Sequence, residues 1–561
     1  MRLTRRQFAA LLTSLGVSNT SFAQALADAK GPITPATIAC AEDIAGLTLT
    51  AGQREQLVED LEELLEQYKS LRALRIPNDI PPALVFDPTL AGVSAAADTH
   101  SLYWSPEEVE RPLRAEDLAF MSVAELAWLL RSRQVTSVAL TELYLARLKQ
   151  YDPVLEAVVT YTEERAFLQA SRADEELDAG IWRGPLHGVP YGAKDLLATT
   201  GYATTWGAMP YRSQQINSDA TVIQKLELAG AVLVAKLTLG ALAWGDVWFG
   251  GKTKNPWNIE QGSSGSSAGP GSAVAAGLVG FAIGSETLGS IISPSTRNGV
   301  TGHRPTFGRV SRHGAMTLSW SMDKLGPMAR SALDCALVFE AIRGRDPLDP
   351  VSVSAPFEFA ADPDPGGLRV GVVASAFDRD YRNREADRAS LEVIRSLGIE
   401  TVRVTLPEDL PVDAMLMTLG VEAAAAFDDL TLSGGVDAMV RQGPDTWPHE
   451  FRKSRFIPAV EFIQANRART LLMQRMAEVM RSVDVIIAPT FGGSTLGITN
   501  LTGHPAVTLP NAFHDVPDAP DRKSPGSITF VGGLYQDAAV LRLAHAFQMA
   551  TDFHLRRPPI H

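Results

Sequence analysis

Apolar residues recur at helical spacing in the first part of the chain and in short continuous runs later, and this change of period predicts a helical arm followed by an α/β body. In QLVEDLEELLEQYKSL (56–71), Leu57, Leu61, Leu64, Leu65 and Tyr68 share one helical face. Ile76-Pro77 and Asp79-Ile80-Pro81-Pro82 end that arm. From Asp87 to Asp117 Pro, Ser and Ala prevail without a period, predicting an extended connector. The stretch MSVAELAWLLRSRQVTSVALTELYLARLKQYD (121–152) then reads as two amphipathic helices, the second capped by Thr136 or Ser137.

From about residue 185 the short apolar runs AVLVAKL (231–237), LRVGVV (368–373) and VDVIIAPT (483–490) alternate with the helical segments DATVIQKLELAG (219–230) and READRASLEVIRSLG (384–398). That alternation predicts a layered α/β domain around a largely buried sheet. No Gly/Ser or charged linker interrupts the region, so it reads as one large domain with ADPDPGG (361–367) as its internal seam. A chain of 561 residues that is 45% hydrophobic can bury such a core.

Charge and composition narrow the partners. With 51 basic against 64 acidic residues the formal charge is −13, which argues against nucleic acid and anionic lipid, since both require a basic face. Cys40 and Cys335 are the only cysteines and read as unpaired thiols, and the ten histidines form no HExxH motif. Neither a metal nor another cofactor is expected. The first 27 residues, MRLTRRQFAALLTSLGVSNTSFAQALA, run from a basic start through an apolar stretch to small residues suited to cleavage, the order of a signal peptide. The apolar run from Phe8 to Val17 is too short for a stable membrane anchor, and Thr4-Arg5-Arg6-Gln7-Phe8 matches the twin-arginine export signal. Cleavage would remove Arg2, Arg5 and Arg6 and no acid, taking the charge from −13 to −16. The expected location is the periplasm or the cell exterior.

Candidate chemistry centres on GSSGSSAGPGSAVAAG (262–277). Gly251-Lys252-Thr253 ends like a P-loop, but Asp246 stands where its first glycine belongs. Gly265-Ser266-Ser267-Ala268-Gly269 matches GxSxG, a motif that must follow a buried strand directly, and GGKTKNPWNIEQGSSG does not read as one. A Gly/Ser loop capping the next helix is the plain structural alternative. The balance shifts with GFAIGSETLGSIISPSTRNGVTGHRPTFGRVSRHGAMTLSWSMDKLGPMAR (280–330) and GPLHGVPYGAKDLLATTG (184–201). Together with KTKNPWN, VDVIIAPT and NLTGHPAVTLP, these ordered motifs resemble the amidase signature family of serine hydrolases from about residue 115 onward.

The resemblance implies a fold, a site and a reaction. The fold is a single amidase signature domain over 111–561, a mixed central β-sheet flanked by helices on both faces, preceded by a helical extension and connector over 28–110. The site is a Ser-cisSer-Lys triad, with Ser290 as nucleophile, Lys194 as base and Ser266, after a cis peptide, as bridge. The family's bridge lies 24 positions before the nucleophile, which selects Ser266 and leaves Ser263 and Ser264 as loop. The backbone of Thr287, Leu288 and Gly289 would form the oxyanion hole. Leu288 and Glu286 depart from the family's usual Gly and Asp, as do Ile292 and Ala241 from its Arg and Glu, and specificity is expected in variable segments over about 375–480. Asp195 reads as a structural hydrogen-bonder, because an ionised partner would raise the lysine pKa. His303 and His313 read as non-catalytic, and Trp244, Trp248 and Phe249 as either pocket wall or packing.

The implied reaction is hydrolysis of a small-molecule amide C–N bond through an acyl-enzyme, by a monomer or homodimer. Two alternatives stay open: a glutaminase subunit like that of an amidotransferase, or a catalytically silent binding protein on the same fold. Replacing Arg5 and Arg6 by lysine is expected to leave folded precursor in the cytoplasm. Cell fractionation checks this, and undiminished periplasmic activity would remove the twin-arginine reading.

Overall fold

The computed structural model describes residues 33–45, 47–73, 77–80, 84–89, 100–361 and 364–560, so the expected signal peptide at 1–27 lies outside it. Two compact units are present, Met1–Pro77 with Arg455–Ala459, and Asn78–Ser454 with Val460–His561. In the first, the helical arm is two helices, Pro35–Ala45 and Ala51–Arg72. The second starts at a capping box, in which Thr50 and Gln53 each receive the other's backbone N–H. Arg54 joins the helices by bonding both oxygens of Glu42, at 2.5 and 2.8 Å.

The second unit is built on an eleven-stranded mixed sheet. Its strands are β1 (Val158–Tyr161), β2 (Pro190–Lys194), β3 (Val232–Leu237), β4 (Phe281–Glu286), β5 (Thr301–Arg304) and β6 (Lys324–Ala329), then β7 (Val370–Val373), β8 (Thr401–Val404), β9 (Val485–Pro489), β10 (Ala506–Val516) and β11 (Ala519–Gly532). The spatial order is β8-β7-β9-β11-β10-β5-β6-β4-β2-β3-β1. Strands before the 361–367 segment thus form one block and strands after it the other. Within the sheet, the described strands of the two blocks pair where β5 runs antiparallel to β10, through Gly302–Thr508, His303–Val507 and Arg304–Ala506.

Core forms on both faces because side chains alternate along each strand. Leu233 and Ile283 belong to one apolar cluster, while their neighbours Val232, Val234 and Ala282 belong to another. The first cluster includes the helices Ala332–Ile342 and Asp537–Met549; the second includes Ser137–Leu155 and Ala268–Ala275. Thr136 caps the 137–155 helix by accepting the N–H of Ala139. The connector runs along this unit: Phe86 meets Phe307 edge-on and lies under the guanidinium of Arg469, and His100–Tyr103 pairs parallel with Phe357–Ala360.

The C-terminal ends of β2 and β3 are pinned by a buried ion pair. Asp195, immediately after β2, contacts Lys236 of β3 at 2.8 Å, and both side chains are fully buried. Its other oxygen accepts the N–H and hydroxyl of Thr205, and its own N–H donates to Leu237. This is the structural role expected of Asp195. Asp195→Ala would strand a buried ammonium, so it is expected to destabilise the protein by about 3–5 kcal/mol. Urea unfolding measures the loss.

Candidate active site

Lys194 ends β2 inside the protein with no exposed surface. Four oxygens surround its amine: Ser266 Oγ at 2.7 Å, Ser285 Oγ at 2.9 Å, Ser267 Oγ at 3.0 Å and the Ser285 carbonyl at 3.4 Å. Ser266 arrives there from a turn whose Gly265–Ser266 peptide is cis. Residue 265 must be glycine, since a Cβ would lie 1.8 Å from the Gly245 carbonyl oxygen. Ser267 is committed on both sides, its hydroxyl donating to the Ser285 carbonyl and accepting the Ser285 N–H, each at 3.1 Å. A neutral amine has two N–H donors and one lone pair. If Ser267 and Ser285 take the donors, the lone pair is left for the Ser266 hydroxyl.

Ser290 lies beside this cluster, its carbonyl accepting the Ser267 N–H at 3.1 Å. It follows β4 through the bend Thr287-Leu288-Gly289, where Gly289 has φ +82°, in the left-handed region that favours glycine. Among the described residues, neither the Ser290 hydroxyl nor the N–H groups of Thr287 to Ser290 donate to a protein acceptor. That leaves a hydroxyl and a set of backbone donors in one turn. Glu286 fixes the turn from below: one carboxylate oxygen accepts the N–H groups of Ile291 and Ile292, at 2.8 and 2.9 Å. The other receives Arg304 at 2.8 Å and Asn500 at 2.9 Å. Asp323 does the same for the other side, accepting the Thr287 hydroxyl at 2.6 Å.

Charge is sorted around the lysine. Burial pushes the Lys194 amine well below its ordinary value, and the carboxylates of Asp323 and Glu286 only partly oppose it. Burial would raise Glu286, but the Arg304 guanidinium, the Ile292 N–H and the charge of Lys324 together outweigh it and hold this carboxyl at about 2. Burial raises Asp323 against the hydrogen bonds of Thr287, Ser319 and Leu318. No carboxylate touches the Lys194 amine among the described residues.

The other sequence candidates fall elsewhere. Ser263 hands its hydroxyl to the Ser264 carbonyl, and Ser264 pairs with Ser293 at 2.8 Å, so both serve the loop. A strand does precede GxSxG, Asn258–Gly262, against the reading of that stretch as strandless. It is a short hairpin with Lys254–Asn255 outside the main sheet, with exposed central residues, so it is not the buried strand a nucleophile elbow needs. His303 is buried against Phe339 and Asp537. Trp248 stacks edge-on with Phe249, and Trp244 with Trp447. His313 lines a cavity of about 60 Å³ that ends on Ser285 and Thr287, with apolar walls at Leu196, Met316, Leu318 and Leu325. The lining includes no residue of the 375–480 region in which specificity is expected. Sequence reasoning missed Ser285, Asp323, Arg304 and Asn500; Glu286 stood out only as a substitution for Asp.

Comparison with known proteins identifies the family. The sequence profile of the Amidase family matches residues 139–541. A glutamyl-tRNA(Gln) amidotransferase subunit from Methylococcus capsulatus is 32% identical over 484 residues, covering 78% of this chain and 98% of the relative. The same subunit from a Roseiflexus species is 32% identical over 478 residues, covering 76% and 96%. Among solved structures, the peptide amidase of Stenotrophomonas maltophilia superposes with a TM-score of 0.69 at 28% identity, covering 78% of this chain and 98% of that one. A bacterial aryl acylamidase of the amidase signature family shares the fold at the same TM-score with 22% identity, covering 77% and 97%. With a profile match across most of its length and relatives covered almost end to end, the chain belongs to the amidase signature family, whose enzymes act on amide C–N bonds.

Proposed function

We propose that this chain is an exported amide hydrolase in which Ser290 is the nucleophile, Ser266 the proton relay and Lys194 the base. The observation that carries the reading is the buried Lys194 amine, 2.7 Å from the hydroxyl of Ser266 and free of any carboxylate contact among the described residues. A serine hydroxyl attacks only when its proton is removed, and a lysine can remove it only while neutral, the form that burial favours. Ser266 passes the proton of Ser290 to Lys194; the Ser290 oxygen then adds to the amide carbon. The oxyanion is received by N–H groups of the Thr287–Gly289 bend. The proton returns through Ser266 to the leaving nitrogen, the C–N bond breaks, and water repeats the sequence on the acyl-enzyme. The Arg5-Arg6 segment supports export.

A second reading draws on the glutamyl-tRNA(Gln) amidotransferase relatives, which this chain covers almost completely. On that reading glutamine is the substrate and ammonia the product. The acidic balance of −13 and the N-terminal segment favour the first. Ammonia release from glutamine, compared with turnover of aliphatic, aryl and amino-acid amides, separates the two; glutamine as sole substrate would establish the second.

Three variants test the mechanism. Ser290→Ala is expected to abolish amide and ester cleavage, and mass spectrometry of the wild type with a slow ester is expected to place the acyl adduct on Ser290; an adduct on Ser267 would restore the GxSxG reading. Ser266→Ala is expected to lose at least about a thousandfold in kcat/KM, whereas Ser263→Ala and Ser264→Ala lose less than about tenfold. Lys194→Ala is expected to damage amides more than esters, because an alkoxide leaves with less help from a proton. In the wild type kcat/KM rises with pH as the amine of the free enzyme loses its proton, and this limb lies well below the ordinary lysine range. A profile flat across that limb would remove the lysine from its role.

A further inference from the structure

The cavity that ends on Ser285 and Thr287 has one lining residue from outside the family match at 139–541. It is Asp79, an exposed residue and hence at the rim, while Ser285, Thr287 and Leu325 of the same lining are buried. Its neighbour Asn78 is fastened to the cavity wall. The Asn78 side-chain oxygen accepts the Thr317 N–H at 2.7 Å, and its amide donates to the Thr317 carbonyl at 2.9 Å and to the Ala426 carbonyl at 3.3 Å. The same wall is tied to the reaction centre, because Leu318 donates its N–H to Asp323, and Asp323 holds the hydroxyl of Thr287. Segment 78–79 is therefore fixed to the same loop that supports the oxyanion bend.

The charges of this lining are unequal in their freedom. Arg312 is spent on Asp349, bonding both its oxygens at 3.1 Å, and on the Trp320 carbonyl at 2.6 Å. Asp323 is buried and takes three donors. Asp79 is the lining carboxylate that no described residue bonds. A free carboxylate at the mouth of a cavity whose Arg312, Asp323 and Asp349 are already paired attracts a cation and repels an anion.

We propose that Asp79, held at the rim by the Asn78 clamp, is a specificity-determining residue that selects amide substrates carrying an ammonium or other cationic group on the end remote from the scissile bond. The inference rests on the hydrolase reading for its chemistry but on the cavity alone for its selectivity. Three amides of matched length separate the two: 5-aminopentanamide, hexanamide and glutaramate, which end in ammonium, methyl and carboxylate. Wild-type kcat/KM is expected to fall in that order, and the preference for ammonium over methyl to shrink with added salt. Asp79→Asn is expected to lower the ammonium-to-methyl ratio about fivefold, and Asp79→Lys to reverse it. Calorimetry of the same amides on the Ser290→Ala protein reads the cavity without turnover. If the wild type hydrolyses none of them but the Ser290→Ala protein binds the cationic amide in an Asp79-dependent manner, the selectivity stands and the hydrolase reading falls. A ratio equal in wild type, Asp79→Asn and Asp79→Lys, or binding of none of the three, overturns the proposal.

Discussion

A lysine amine buried and, among the described residues, out of contact with any carboxylate is the constraint around which this structure is arranged. An ammonium in that position would lose its hydration, so the environment favours the neutral amine. The preference would be undone by one carboxylate at contact distance. Three carboxylates lie close in sequence or space, and each is engaged elsewhere: Asp195 by Lys236, Glu286 by Arg304 and Asn500, Asp323 by Thr287 and two backbone N–H groups. What remains next to Lys194 is a shell of serine oxygens, which can hydrogen-bond an amine in either direction and carry no charge.

The same reasoning explains why two adjacent serines differ. Ser266 and Ser267 both lie within 3.0 Å of the lysine. Ser267 donates its hydroxyl to the Ser285 carbonyl and accepts the Ser285 N–H with one lone pair, so it acts as a strut between the 268–275 helix and β4. Ser266, presented by the cis peptide, has only the lysine among the described partners. The helix that follows opens on a strut rather than on a reacting group.

Much of this was legible in the sequence, and what was not has a common physical origin. The runs 231–237, 368–373 and 483–490 became β3, β7 and β9, and the periodic segments 219–230 and 384–398 became the helices Thr221–Leu228 and Arg384–Ser396, because period and apolar continuity are local properties. The spacing between Ser266 and Ser290 came instead from the resemblance to the family, since no local period marks either serine. Asp323 with Thr287, Asn500 with Glu286 and Asn78 with Thr317 were not, since each bond joins residues that only the folded sheet brings together. Single polar residues in loops carry no period, and nothing in TLSWSMD distinguishes a wall of the cavity from an ordinary turn. Thr50 and Gln53 cap the start of the second arm helix, and that start was not singled out from the sequence.

The single ladder joining the two blocks of the sheet sets the order in which the protein can come apart. Glu286 is held by Arg304 on β5 and by Asn500 just before β10, one anchor from each side of the junction. Any sub-global opening that parts β5 from β10 removes one anchor from the Thr287–Ser290 turn while both blocks keep their own strands paired. Loss of the working geometry would then precede loss of secondary structure. The Thr287–Ser290 turn would then report a parting of the two blocks that the secondary structure does not register.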